Sequence, residues 1–476
     1  MASSGLAVVP NALAYLALLL WLPATVFALK HYPPTKAAVG VYLGGLMFLP
    51  QVAEFKLPGL PELHKEHLIG LYLLAGLYFV HRRVLRERIP GGRLGGPLMA
   101  LIVVGWLLTG QLNGDPLRFG PNTRPGLSMY DGLHEALQSV LEFGIPFYLG
   151  RVLIRSREDL RLLLKYMAGA GVIYSLFALW EIRMSPQLHA NFYGVHPNEF
   201  TTVRRYGGWR PLLFMDSGIA VGQFFMMCML AAAVLRKVRI PTGRFSSRVV
   251  LGYLFIIMVV VKSTAAIIYG VVFFGVMKVF KPKNQGRFAV VVCLVLAAYP
   301  LIRVVDVFPY EVVLKELYAW NPERAWSMEY RFRNEDNLVD RAMERPVFGW
   351  GTYGRNRIFD MRTGQDISAT DGYWIIALGS QGLLGLYACL LMLIYPVLKV
   401  GWRISRIGDP EDRVLMAGLC LLVAARAIDL IPNGWYTSFP LFLAGSLYSL
   451  YPGLIASPGA TFSPPSSSSD QHVFRT

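Results

Sequence analysis

Charged residues are scarce in this 476-residue chain, at 16%, where soluble domains carry about 25%. Hydrophobic residues make up 54%, and the mean hydropathy is +0.43. This balance disfavours a soluble globular protein. Cysteine is scarce too. Cys228, Cys293, Cys389 and Cys420 lie in apolar stretches, without paired metal-ligand spacing or a loop placement suited to a disulfide. They read as small buried hydrophobes and carry no information on redox compartment. The common catalytic signatures are also missing: no Walker motif, no HExxH, no GxSxG elbow, and no DxD pair in a basic connection. A nucleotide-driven pump, a zinc protease and a cytosolic nucleotide-sugar transferase each lose ground.

Long apolar runs dominate what is present. A bilayer core takes about 20 mostly apolar residues per helix. Thirteen candidate spans follow: 6–29, 37–53, 67–80, 95–112, 133–149, 162–180, 211–235, 249–261, 264–280, 288–305, 373–397, 414–431 and 438–455. The first is not a cleavable signal peptide, since no charge precedes Lys30 and the apolar stretch exceeds an h-region. The expected fold is an all-α polytopic bundle of 12–13 transmembrane helices, one domain over 1–456. Residues 457–476, with their SPPSSSSD run, read as a disordered cytoplasmic tail.

The net charge of +16 would suggest nucleic acid in a soluble protein. Here its distribution gives a different reason. Basic connections at 81–93, 151–161, 236–248, 278–287 and 399–413 fall on alternate connections, and so on one side, as the positive-inside rule requires of cytoplasmic loops. With Lys30, Lys36 and Arg475, that side holds 25 Lys or Arg against 7 Asp or Glu. The surplus of 18 exceeds the whole net charge, so topology explains it and no nucleic-acid partner is needed. This register puts the N-terminus outside and the C-terminus inside; a twelve-span arrangement with the N-terminus inside is the alternative.

Two connections break the pattern, 181–210 and 306–372, both on the external side. The second has 67 residues, with nine Arg/Lys and twelve Asp/Glu. Asn321-Pro322 opens it as an N-cap and first helical position, and Pro346 ends a helix there. Arg331, Glu335, Leu338, Arg341 or Ala342, and Arg345 form one stripe, and Trp326, Phe332, Val339 and Met343 the opposite face. An amphipathic interfacial helix follows, its arginines, Arg333 included, turned to a cleft or neutralised in surface pairs with Glu335 and its neighbours. The glycines of Arg345-Pro346-Val347-Phe348-Gly349-Trp350-Gly351 allow a tight turn, structural or ligand-facing. Asp371 precedes an apolar helix, either as a cap or as a carboxylate that takes a proton from a hydroxyl. In the other segment Arg204, Arg205 and Arg210 lie within seven residues. Guanidinium binds phosphate bidentately and stays charged. Lys262, in a tight hairpin, is an interface anchor or a further phosphate contact. His189 and His196 lack a third metal ligand nearby and read as loop histidines. Ionisable residues inside spans are few, chiefly Glu142 and Asp429, against an ion-coupled transporter.

Three stretches resemble the family of bacterial O-antigen ligases and Wzy-type O-antigen or exopolysaccharide polymerases. Arg331, fifteen residues before Pro346-Val347-Phe348-Gly349-Trp350-Gly351, looks like the family's Arg…hP-l-f-G-x-G segment. Asp371-Gly372-Tyr373 through Gly382-Leu383-Leu384-Gly385 looks like its (H/D)-N-x-y-L…G-l-l-G-l segment. Arg205-Tyr206-Gly207-Gly208 looks like its external Arg-x-x-G. The resemblance covers roughly 200–400; the first 130 residues match only as generic membrane helices. Ligases carry His-Asn where this chain has Asp371-Gly372, which favours a polymerase. The family's Ser-Arg-Gly hairpin appears as Ser263-Thr264-Ala265, with Lys262 beside it.

The resemblance implies a metal-independent GT-C-type glycosyltransferase without cofactors, in the bacterial inner membrane and facing the periplasm. Its donor would be a glycan on undecaprenyl diphosphate. Arg205 and Arg331 would hold the diphosphate, Asp371 would activate the acceptor hydroxyl, and Arg204, Arg210, Arg333, Arg341 and Lys262 would bind substrate. Membrane lipid, a flippase and a chain-length regulator are the expected partners. The alternatives are an O-antigen ligase acting on lipid A-core, a transporter or flippase of lipid-linked glycans, and a structural membrane subunit.

Overall fold

The computed structural model describes residues 9–87, 95–198, 203–205, 207–434 and 437–456; the 457–476 tail, Tyr206 and part of the basic 81–93 connection lie outside them. Helices dominate: α1 (Ala12–His31), α2 (Pro34–Phe48), α3 (Lys65–Val80), α4 (Arg82–Arg86) and α5 (Gly95–Leu112). The strands β1 (Leu117–Phe119) and β2 (Asn122–Arg124) pair antiparallel, then come α6 (Met129–Ser139), a π-helical turn (Val140–Gly144), α7 (Ile145–Leu153), α8 (Arg157–Met184) and α9 (Leu188–Tyr193). A second hairpin joins β3 (Arg204–Arg205) to β4 (Gly208–Trp209). The rest is α10 (Gly218–Lys237), α11 (Ser247–Val260), α12 (Thr264–Val279), α13 (Pro282–Val304), α14 (Tyr310–Trp320), α15 (Pro322–Met343), α16 (Tyr373–Gly401), α17 (Pro410–Ile428) and α18 (Ser438–Ala456).

Each of the thirteen apolar segments contains helix, with 133–149 crossing α6, the π turn and α7. Among the described residues six helices are long and apolar enough to cross a membrane: α1, α5, α8, α10, α13 and α16; α11 and α12 are apolar but shorter. Leu16, Leu19 and Leu20 of α1, Ile256 of α11 and Leu294 of α13 stay exposed. So broad an apolar surface suits lipid rather than water. Its interior lies around α10 and α17, both buried on nearly every side, the mark of a central helix.

One span begins later than its hydropathy suggests. Residues 211–217 are not helical, and α10 starts at Gly218, capped by the Ser217 side chain accepting from Ala220 N–H. The reason is Glu181, whose fully buried carboxylate accepts from the N–H groups of Leu212 and Leu213 at 2.8 Å and of Leu188 at 3.0 Å. Leu212 and Leu213 are thereby tied to a side chain rather than to a helical ladder, and the positive φ of Leu213, 54°, departs from helical geometry.

Candidate functional site

The long 306–372 segment builds its site on α15. Asn321 caps it, its side chain accepting from Arg324 N–H, and Pro322 opens the first turn, so the expected start is observed. Its faces differ from the expected pattern. Trp326 is exposed, while Glu335 and Leu338 are buried beside Phe332 and Val339. The cause is Arg303 of α13, a buried guanidinium 3.3 Å from Glu335 and 2.8 Å from Asp336. Arg303 also donates to the Phe332 carbonyl at 3.0 Å and lies against the rings of Phe308, Tyr310 and Phe332. Tyr299 donates to Glu335 at 3.0 Å and packs edge-on to Trp374 of α16. Glu335 therefore docks α15 to α13 rather than neutralising the loop arginines.

Arg331, one turn before Glu335, is left to a different partner. Its Nε lies 3.2 Å from Asp371 Oδ2, both side chains nearly half exposed. Asp371 does not cap α16: the N-cap is Gly372, and no side chain bonds the first turn. Tyr373 N–H instead donates to the carbonyls of Leu430 and Asn433, which pins the start of α16 and fixes where Asp371 stands. Two motif residues forty positions apart thus form one ion pair.

Their geometry is locked by the glycine turn. α16 is broken at Gly382, with φ 66° and ψ −171°. A break exposes backbone groups that a continuous helix would pair. Residues 346–351 fill it: Trp350 and Gly351 N–H donate to Gly379 and Ser380 carbonyls at 2.8 and 2.9 Å, and Leu383 and Leu384 N–H to Pro346 and Val347 carbonyls at 2.7 and 3.2 Å. A Cβ at Gly382 would lie 2.4 Å from the Val347 carbonyl, and one at Gly349 2.5 Å from Ser380; both positions also have positive φ, so glycine is required. Arg345 clamps the turn to the end of α5 through Asn113 at 2.6 Å and Asp115 at 3.1 Å. Arg355, fully buried, holds the Asp115 and Pro125 carbonyls.

Other expected ligands are placed elsewhere. Arg341 turns inward over the Trp350 ring at 3.5 Å, pairs with Glu344 and donates to the Arg355 carbonyl. Arg333 is exposed in a surface pair with Glu329. Arg204 and Arg205 are exposed on β3. Lys262, at φ 60°, reaches the Arg205 carbonyl at 3.4 Å, and Arg210 donates to Ser263 at 3.2 Å. The hairpin and the 261–264 turn therefore form a second basic cluster. No hydrogen bond or ion pair of Arg331 or Asp371 reaches it among the described residues. His189 is a buried clasp: Nε2 accepts from Gln51 N–H at 3.0 Å while Nδ1 meets the Val195 carbonyl. Burial lowers its pKa to about 4, which keeps it neutral.

Sequence reasoning missed Arg303, Arg355 and Glu181, whose partners are distant in the chain. It also undercounted charge within the bundle. Lys65, Glu66, Asp216, Gln223 and Arg426 line a cavity of about 60 Å³, and Asp429 bonds Gln223, Arg426 and Asn433. Lys65, Glu66 and Asp216 sit at or next to helix ends, where hydropathy does not register them.

Glu335 sets a pH dependence. Burial pushes its carboxyl from 4.5 up to about 7 against the pull of Arg303, and Asp336 and Asp371 add to the rise. A carboxyl raised in the folded state binds its proton more tightly there. Its contribution is complete below about pH 4.5 and is lost as pH rises through about 7, amounting to about 3 kcal/mol. The melting temperature in detergent should fall by a few degrees between about pH 5 and pH 7.5. Glu335→Gln should flatten that slope, and an unchanged slope would reject the assignment.

Searches against known protein families and against curated proteins found no match for this chain.

Proposed function

We propose that this chain is a membrane glycosyltransferase that polymerises undecaprenyl-diphosphate-linked repeat units at the periplasmic face of a bacterial inner membrane. The reading takes the thirteen apolar segments as 12–13 spans, with 181–210 and 306–372 external. Its single strongest support is the Arg331–Asp371 pair at 3.2 Å, which couples a phosphate-binding guanidinium to a proton-accepting carboxylate. In the proposed step the acceptor hydroxyl oxygen bonds to the anomeric carbon of the donor, and the anomeric C–O bond to phosphate breaks. Asp371 takes the hydroxyl proton, and the lipid diphosphate leaves with its charge on Arg331. Apart from this ion pair Arg331 has no polar partner among the described residues, so its Nη groups are open to a phosphate. Arg204, Arg205, Arg210 and Lys262 would hold the lipid-proximal end of a substrate, aided by Arg333, while Arg341 braces the turn. The product is an exopolysaccharide, capsule or O-antigen.

A transporter would draw on the charge-lined cavity between α3, α10 and α17. At about 60 Å³ that space is far smaller than a lipid-linked glycan. A ligase is disfavoured by Asp371-Gly372 in place of His-Asn. The test is a proteoliposome assay with undecaprenyl-diphosphate repeat units, product length being followed on a gel. A ladder of lengthened glycans is expected. Product only when lipid A-core is supplied would identify a ligase, and no product where a reference polymerase works would reject the enzyme.

A further inference from the structure

Three side chains outside this machinery converge from two elements. His64 is the N-cap residue of α3 and His67 lies in its first turn, so the two share one face. Glu142 comes from the Val140–Gly144 π turn. The extra residue in such a turn redirects the side chains it carries, and π turns gather at functional sites. Glu142 Oε1 lies 3.9 Å from His64 Nε2 and 3.6 Å from His67 Nε2. The imidazole rings stack with centroids 3.7 Å apart, and the three ligand-type atoms lie within 4.8 Å of one another. These separations exceed hydrogen bonds. They approach the roughly 3.4 Å between ligands of one tetrahedral ion with bonds of about 2.1 Å.

A second observation points to a ligand. His67 is 1% exposed, and its Nε2 has no hydrogen-bond partner. A buried acceptor without a partner is costly. Its other nitrogen, Nδ1, donates to the Glu62 carbonyl at 3.1 Å, which leaves the Nε2 lone pair facing Glu142. Gln138 Nε2 donates to Glu142 Oε1 at 3.0 Å and steadies the carboxylate. A histidine fixed through one nitrogen and free at the other is the usual arrangement of a metal-bound imidazole.

We propose that His64, His67 and Glu142 bind one divalent transition-metal ion, Zn²⁺ in preference. Two imidazoles and one carboxylate are zinc's ligand types, and they leave a fourth position to a water or another oxygen. Ca²⁺ and Mg²⁺ want more oxygen ligands than this set offers. The ion ties the start of α3 to the π turn. This site does not rest on the glycosyltransferase reading.

The test uses tag-free full-length protein in detergent, stripped with chelator and re-equilibrated with micromolar Zn²⁺. Bound metal is counted by elemental analysis, and Co²⁺ replacement is read by visible absorption. One ion per chain and a tetrahedral Co²⁺ spectrum are expected. His67→Ala and Glu142→Gln should each weaken binding at least about tenfold. His64→Ala, at the more exposed edge of the cluster, should do the same with the fold intact. Substoichiometric Zn²⁺ in the native chain, or native affinity in His64→Ala and Glu142→Gln, overturns the site.

Discussion

Asp371→Ala and Arg331→Ala each reduce glycan lengthening by about 100-fold or more while leaving the protein folded and inserted. The size follows from their proposed roles: a positioned general base contributes about 10²–10⁴, and one donor to a developing oxyanion about 10²–10³. Both side chains are nearly half exposed and bonded to each other. Losing a surface pair of this kind costs little stability, so activity and folding separate cleanly. Asp371→Asn distinguishes chemistry from shape. It keeps an acceptor oxygen beside Arg331 but cannot take a proton, and it should lose as much activity as alanine. Retained lengthening in the asparagine variant would reduce Asp371 to a brace. Arg331→Lys keeps a charge but loses the planar fork, so it should weaken substrate binding more than it lowers turnover.

Glu181→Ala has the largest expected effect on stability. It leaves the amides of Leu188, Leu212 and Leu213 without an acceptor in a buried site, at about 1–3 kcal/mol each. Leu213, at φ 54°, loses the bond that holds its strained backbone. The expected result is a melting temperature lowered by several degrees, with protease cleavage appearing first between about 185 and 215. Native protease resistance would show that the segment is held by its packing instead.

The helical frame was readable because hydrophobic runs are local. Asn321-Pro322 marked the start of α15 for the same reason: capping acts within one turn. What stayed hidden was pairing across the bundle. Nothing near Glu335 indicates that Arg303, thirty-two positions earlier, will claim it. The stripe of α15 left open whether its arginines face a cleft or pair with Glu335 and its neighbours, whereas Glu335 goes to Arg303 and Arg331 to Asp371. His64, His67 and Glu142 stayed apart because the second element is a π turn, whose side-chain direction no 3.6-residue pattern predicts. Asp371 was ambiguous between cap and site by position alone. Its geometry decides against the cap, since Gly372 occupies that position.

The interruption of α16 at Gly382 bears on how the chain is assembled. In hydrocarbon each unsatisfied backbone group costs several kcal/mol, and four groups at the break find their partners in residues 346–351. α16 therefore cannot settle as a finished span by itself. Residues 346–351 are synthesised before α16, so on the proposed topology they are already across the membrane when α16 arrives at the bilayer. Their docking completes the helix and draws α15, with Arg331, toward Asp371 in the same event. Maturation of the external segment and insertion of its following span become one cooperative step, and a protein with an incomplete site is also one with an unfinished span, exposed to quality control.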